Sequence, residues 1–124
     1  MPSLRFRQGP VASLLSSDLP GTIAFYRDLL GFELTAWDPD PDLPSWIQLR
    51  NGAVVLQFFA DAAAGEPSLT GTLHLYPEDG VVSAAEALRG RVMFAAEPEM
   101  MPYGLLEFAL LDPNGYRLAF SEEC

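Results

Sequence analysis

Cysteine is nearly absent: the single residue, Cys124, stands at the last position. No internal disulfide can therefore staple the fold, and a reducing, cytoplasmic setting is the expectation. Histidine is also single, so a Ser-His-Asp or Cys-His nucleophile system would have to use His74, and no spacing supports one. Positive charge is scarce, with 7 Lys+Arg against 17 Asp+Glu and a net charge of −10. Such a field repels nucleic-acid phosphates and anionic membranes and draws cations toward the surface. No apolar run reaches the roughly 18 residues a membrane helix needs, and "MPSLRFRQGP" lacks the apolar stretch of a secretion signal. Glycine-rich phosphate loops, G-x-S-x-G, C-x-x-C and H-E-x-x-H are all missing. Paired carboxylates for acid–base work (Glu107 with Glu33 or Asp38) have no motif behind them.

What the chain does have is apolar content of 49% and 11% aromatics over 124 residues, enough to bury a core without staples. "GPVASLLSSD" reads as a strand leading to a helix, with Asp18 as N-cap and Pro20 in the first turn. Leu19, Ile23, Tyr26 and Leu30 recur at helical spacing, and Gly31 closes the helix. "FELTAW", "SWIQLR" and "AVVLQFFA" are strands; "DPDPDLP" between the first two is a loop, and Asn51-Gly52 joins the last two as a hairpin turn. After the small, polar stretch "DAAAGEPSLTG" the order repeats. "TLHLYPED" is a strand, "GVVSAAEALRG" a short helix, "RVMFAAE" a strand, "EPEMMPYG" a loop, and "LLEFALLDPNGYRLAF" a closing hairpin. The pattern is α+β: two βαβββ modules, at about 1–60 and 71–124, joined by a linker at 61–70 within a single domain of 1–124.

The turns sort the strand faces. The Asn51-Gly52 loop pairs Trp46 with Gln57 and Gln48 with Val55, placing these four and Phe59 on one face, with Ile47, Leu49, Val54, Leu56 and Phe58 on the other. For the closing hairpin, a three-residue Pro113-Asn114-Gly115 loop puts Leu106, Phe108, Leu110, Leu118 and Phe120 together on the core face. Glu107, Ala109, Arg117 and Ala119 then share the opposite face. This register avoids burying Glu107 against a helix without a partner, which a carboxylate tolerates poorly. Thr72 and His74 share a face because strand side chains alternate.

The run D-L-x-x-x-x-x-F-Y-R-D-x-L-G-F at 18–32 and F-x-L-x-D-P-x-G at 108–115 resemble the vicinal oxygen chelate superfamily. That group includes glyoxalase I, extradiol dioxygenases and bleomycin-resistance proteins. The resemblance spans nearly the whole chain. It implies curled mixed sheets around a cavity with helices outside, and a homodimer whose cavity both chains line. In the enzymes of the family a metal sits in that cavity, and its ligand positions fall here on Val11, Gln57, Thr72 and Ala119. Val11 and Ala119 carry no donor atom, Thr72 is a poor ligand, and Gln57 can serve; a useful site wants about three N, O or S ligands.

The resemblance is therefore to the metal-independent, bleomycin-resistance branch: a small-molecule binder with no cofactor that sequesters a cationic or aromatic guest, such as an antibiotic, in a groove of the dimer. The candidate ligand-binding residues are Trp46, Gln57, Phe59, His74, Tyr76, Tyr103, Glu107 and Arg117, with Ala109 and Ala119 leaving space between them. Trp46 also reads as core or interface filler, Glu107 as a partner of Arg117, and Tyr103 as a packing anchor. The alternative is a metal-dependent lyase, isomerase or dioxygenase with a shifted site on Gln57, His74 and Glu107.

Overall fold

A computed structural model describes residues 3–38, 45–62 and 70–123. Strand β1 (Ala12–Ser16) leads into helix α1 (Leu19–Ala24) and its π-helical continuation Phe25–Leu29, followed by β2 (Glu33–Trp37), β3 (Trp46–Asn51) and β4 (Val54–Ala60). The second module repeats this order with β5 (Thr72–Leu75), α2 (Gly80–Leu88), β6 (Phe94–Met100), β7 (Leu105–Leu111) and β8 (Arg117–Glu123). Each module forms a four-stranded mixed sheet, ordered β1-β4-β3-β2 and β5-β8-β7-β6. The first strand of each lies parallel to the last. The architecture is α+β and built from two βαβββ modules. Most of the 61–70 linker and of the proline-rich loop falls outside the described residues, as does Cys124.

Asp18 caps α1 by accepting from the Gly21 N–H at 3.0 Å, and Pro20 occupies a first-turn position whose N–H is unneeded. The helix then widens. Phe32 N donates to Tyr26 O at 2.9 Å across a left-handed Gly31 (φ 76°), one residue further back than a standard α-helical stop. Helix α2 lacks a side-chain bond from Asp79. Instead Glu122 on β8 accepts from the Val81 N–H at 2.7 Å, so the sheet supplies the cap that the local sequence lacks.

One apolar core joins the helix-side faces of both sheets. Leu14, Ile47, Leu49, Leu56 and Phe58 meet α1, while Phe108, Leu110, Leu118 and Phe120 meet Val81, Ala85 and Leu88 of α2. The closing hairpin has the expected register: Phe108 faces Phe120, Ala109 faces Ala119, and Gly115 takes a left-handed φ of 86°. Two expectations need correction. The first hairpin turns through Gly52-Ala53, because Asn51 pairs with Val54 and Trp46 with Phe59. Only Gly52 has positive φ (57°), the pattern of a type II′ turn. A shift of two residues preserves the face assignments. The segment Glu97 to Met100 is strand, not loop: β6 runs through Pro98 as an edge strand with two register shifts, where a missing N–H is tolerated.

The modules are pinned by a buried polar joint. Tyr26 Oη donates to Asp112 Oδ2 at 2.7 Å, Asn114 Nδ2 donates to Thr22 Oγ1 at 3.1 Å, and Tyr116 Oη donates to Leu15 O at 2.9 Å. Bonds to an ionised acceptor typically contribute about 1.5–3 kcal/mol. Tyr26→Phe is therefore expected to lower the urea midpoint by a stability change of that order with an unchanged slope, read from equilibrium unfolding curves. An unchanged midpoint would show that the joint is not what holds the modules.

Candidate functional site

The open face of the first sheet, away from the helices, carries a hydrogen-bonded ladder across all four strands. Ser13 Oγ donates to Gln57 Oε1 at 3.1 Å, Gln57 Nε2 to Gln48 Oε1 at 3.0 Å, and Gln48 Nε2 to Thr35 Oγ1 at 3.1 Å. Beside it Trp46 and Phe59 are direct cross-strand partners with ring centroids 6.4 Å apart. Trp46 is half-buried and Phe59 exposed. Asp38 fixes the start of β3 by accepting from the Ser45 and Trp46 N–H groups at 2.9 Å each, and from the Ser45 hydroxyl. Asp38 is thus a positioning group for Trp46, not half of a carboxylate pair with Glu107.

The corresponding face of the second sheet gathers three polar side chains, Tyr103, His74 and Ser121, around one buried carboxylate. Tyr103 Oη donates to Glu107 Oε1 at 2.6 Å and Ser121 Oγ donates to Oε2 at 3.0 Å. His74 Nδ1 lies 3.2 Å from Oε2 and 3.3 Å from Ser121 Oγ. Glu107 is 5% exposed. Burial alone would raise its pKa, but the Tyr103 and Ser121 hydrogen bonds and the nearby His74 and Arg117 hold it below its ordinary value. The same carboxylate raises the Tyr103 hydroxyl. Among the described residues Arg117 makes no ion pair with Glu107, so the anticipated Glu107–Arg117 pair is replaced by hydroxyls and imidazole.

The candidate residues thus fall into two groups: Trp46, Gln57 and Phe59 on the first sheet, and His74, Tyr103, Glu107 and Arg117 on the second. Tyr76 stands just beyond β5 and lines a different feature, an apolar groove of about 470 Å³ between the modules. Leu29, Phe32, Val54, Leu75 and Leu88 line it too; it is on the helix side and shares no other candidate residue. Ala109 and Ala119 are each 2% exposed, so the space expected between them is not open to solvent. Ser13, Gln48 and Ser121 join these clusters without any motif of their own, although strand alternation places Ser121 two positions beyond Ala119.

The donor set does not suit the family's metal. Val11 and Ala119 have no ligand atom, Thr72 is weak, and the Gln57 amide is engaged by Ser13 and Gln48. Of the shifted alternative, His74 and Glu107 meet on the second sheet, while Gln57 stands on β4 of the first, bonded to Ser13 and Gln48. Among the described residues no three His, Cys, Asp or Glu side chains converge, and no helix is long and apolar enough to cross a membrane.

Two four-stranded mixed sheets built as βαβββ repeats define the fold class. A family model described as the glyoxalase/bleomycin resistance protein/dioxygenase superfamily matches residues 8–120. The chain belongs to that superfamily. A bleomycin-binding protein solved in complex with bleomycin is 25% identical, with TM-score 0.72 over 94% of this chain and 99% of that one. A bleomycin resistance determinant encoded on the transposon Tn5 is 24% identical, with TM-score 0.73 over 94% and 98%. A lactoylglutathione lyase from Agrobacterium tumefaciens shares the fold at 18% identity, with TM-score 0.72 over 95% of each chain. No curated protein sequence matches significantly.

The depressed pKa of Glu107 fixes the sign of a pH effect. A carboxyl whose folded pKa lies below its unfolded value, about 4.3 for glutamate, stabilises the fold above that value. The contribution is lost as pH falls through the folded value. The thermal midpoint of Glu107→Gln should therefore lie below that of the parent near neutrality, and the gap should close on acidification below about pH 4. Melting curves across that range test it; a gap independent of pH would mean that the carboxylate's charge is not what its partners stabilise.

Proposed function

We propose that this protein is a capture protein of the bleomycin-resistance type, which holds a cationic or aromatic small molecule on the open faces of its two sheets without making or breaking a bond. The observation that carries this reading is the wall formed by Trp46 and Phe59 beside the Gln48–Gln57 ladder. An aromatic pair next to neutral amide donors and acceptors suits a flat, polar-edged guest. The net charge of −10 favours encounter with a cation. Two family ligand positions are incapable of coordination, which supports binding over metal chemistry. The assembly is a homodimer in this reading. Phe59, Tyr76 and Tyr103 are 42%, 57% and 61% exposed on one chain, and a second copy would bring further surface to the guest.

Titration with metal-free bleomycin tests the proposal. Saturable binding is expected, and Trp46→Ala should weaken it at least about tenfold, or roughly 1.4 kcal/mol, while the melting temperature stays close to the parent's. Unchanged affinity in Trp46→Ala would remove Trp46 from the site. Near one equivalent of zinc, nickel, manganese or iron in protein purified without chelator, lost in His74→Ala, would instead favour the metal-dependent lyase or dioxygenase reading.

A further inference from the structure

The bonds around Glu107 fix where each neighbouring proton sits. Ser121 has one hydroxyl proton, and it goes to Glu107 Oε2. His74 Nδ1 thus faces two acceptors, the carboxylate at 3.2 Å and the Ser121 oxygen at 3.3 Å. A lone pair on Nδ1 would confront both, so Nδ1 carries the hydrogen. The neutral ring then has its lone pair on Nε2. Among the described residues Nε2 has no hydrogen-bond partner, and the His74 side chain is 40% exposed. Tyr103 follows the same logic: its one proton points to Glu107 Oε1 at 2.6 Å, and its oxygen lone pairs remain available on a residue that is 61% exposed.

We infer that Glu107 draws both protons inward and leaves His74 Nε2 and Tyr103 Oη as outward acceptors, so that the group docking on this wall is an N–H donor of the amidine or guanidine class. The buried carboxylate is then a positioning residue that does not itself meet the guest. Arg117 lies on the same face, opposite Thr72, and among the described residues makes no ion pair with Glu107, so the two outward acceptors define the docking group. The inference rests on the capture reading only for the wall being ligand-facing; the proton placement stands independently of it.

A single histidine makes the test direct, because protein labelled with nitrogen-15 histidine gives one pair of imidazole resonances. Spectra recorded where the ring carries one proton should show the Nδ1–H form in the parent protein, and Glu107→Gln should move the ring to the Nε2–H form or to a mixture. Benzamidinium should shift the Nε2 resonance of the parent saturably, and benzoate should not. An Nε2–H ring in the parent protein overturns the proposal without depending on any variant folding. An unchanged tautomer in Glu107→Gln, or equal responses to benzamidinium and benzoate, overturns it as well. If bleomycin fails to bind while the tautomer and the amidinium response are as expected, the capture reading falls and the acceptor wall stands supported by itself.

Discussion

The buried carboxylate of Asp112 is the joint on which the arrangement of the two modules depends. Asp112 is 4% exposed and organises its own turn by accepting from the N–H groups of Asn114 and Tyr116 at 2.9 Å each. Its other oxygen accepts from Tyr26 of the first module. The same turn reaches further through Asn114 to Thr22 and through Tyr116, whose hydroxyl bonds both the N–H and the C=O of Leu15. The closing turn of one module is thereby plugged into the helix and first strand of the other. Removing one partner would leave the rest buried and short of bonds, which is why such joints fail together. The widened π-helical turn belongs to the same device, since Tyr26 supplies both the hydroxyl for Asp112 and the carbonyl that stops the helix at Phe32.

Two buried carboxylates in one small chain have opposite electrostatic fates. Asp112 is raised above its ordinary value because burial outweighs its hydrogen bonds from Tyr26, Tyr116 and Asn114. Glu107 is lowered because burial, which raises it, is outweighed by the Tyr103 and Ser121 hydroxyls together with His74 and Arg117. At Asp112 burial is the larger influence, whereas at Glu107 the hydrogen bonds from Tyr103 and Ser121 lead the causes that favour the anion. The first carboxylate sits at a junction between modules, the second on a face turned away from the core. This contrast separates a structural acid from one able to set the chemistry of a surface.

How much of this was legible from sequence depended on which residues carry local rules. The Asp18 cap, the Gly31 stop and the Asp112-Pro113-Asn114-Gly115 turn follow from short-range backbone demands, and the structure shows each. The closing register was also readable, because the alternative buries Glu107 against a helix. Asn51-Gly52 misled: the dipeptide suggests two left-handed residues, whereas Gly52 alone takes positive φ and Ala53 completes the turn. Pro98 misled in the other direction, since only strand order reveals that β6 is an edge. Charge pairing pointed Glu107 toward Arg117, yet Arg117 sits opposite Leu111, four residues or roughly 13 Å along the strand from Glu107. Its cross-strand neighbour is Ser121. The partner was implicit in the register, but a serine gives no signal in a search for opposite charges.

The two open faces also differ in how strongly each can discriminate. On the first sheet Gln48 and Gln57 each commit one amide hydrogen and one lone pair to the ladder, and each amide keeps a donor and an acceptor. Such a surface accommodates many polar edges, and the adjoining rings of Trp46 and Phe59 add area without a strong directional demand. On the second sheet the protons are already assigned by a single carboxylate, so a guest with the wrong polarity meets lone pair against lone pair. Reversing that polarity would require moving protons in a cluster whose buried members, Glu107 and Ser121, are both satisfied. In the proposed capture, retention would then come from the tolerant amide and aromatic wall and selectivity from the wall that Glu107 organises, while the long-range acidic field would govern only how often a guest arrives.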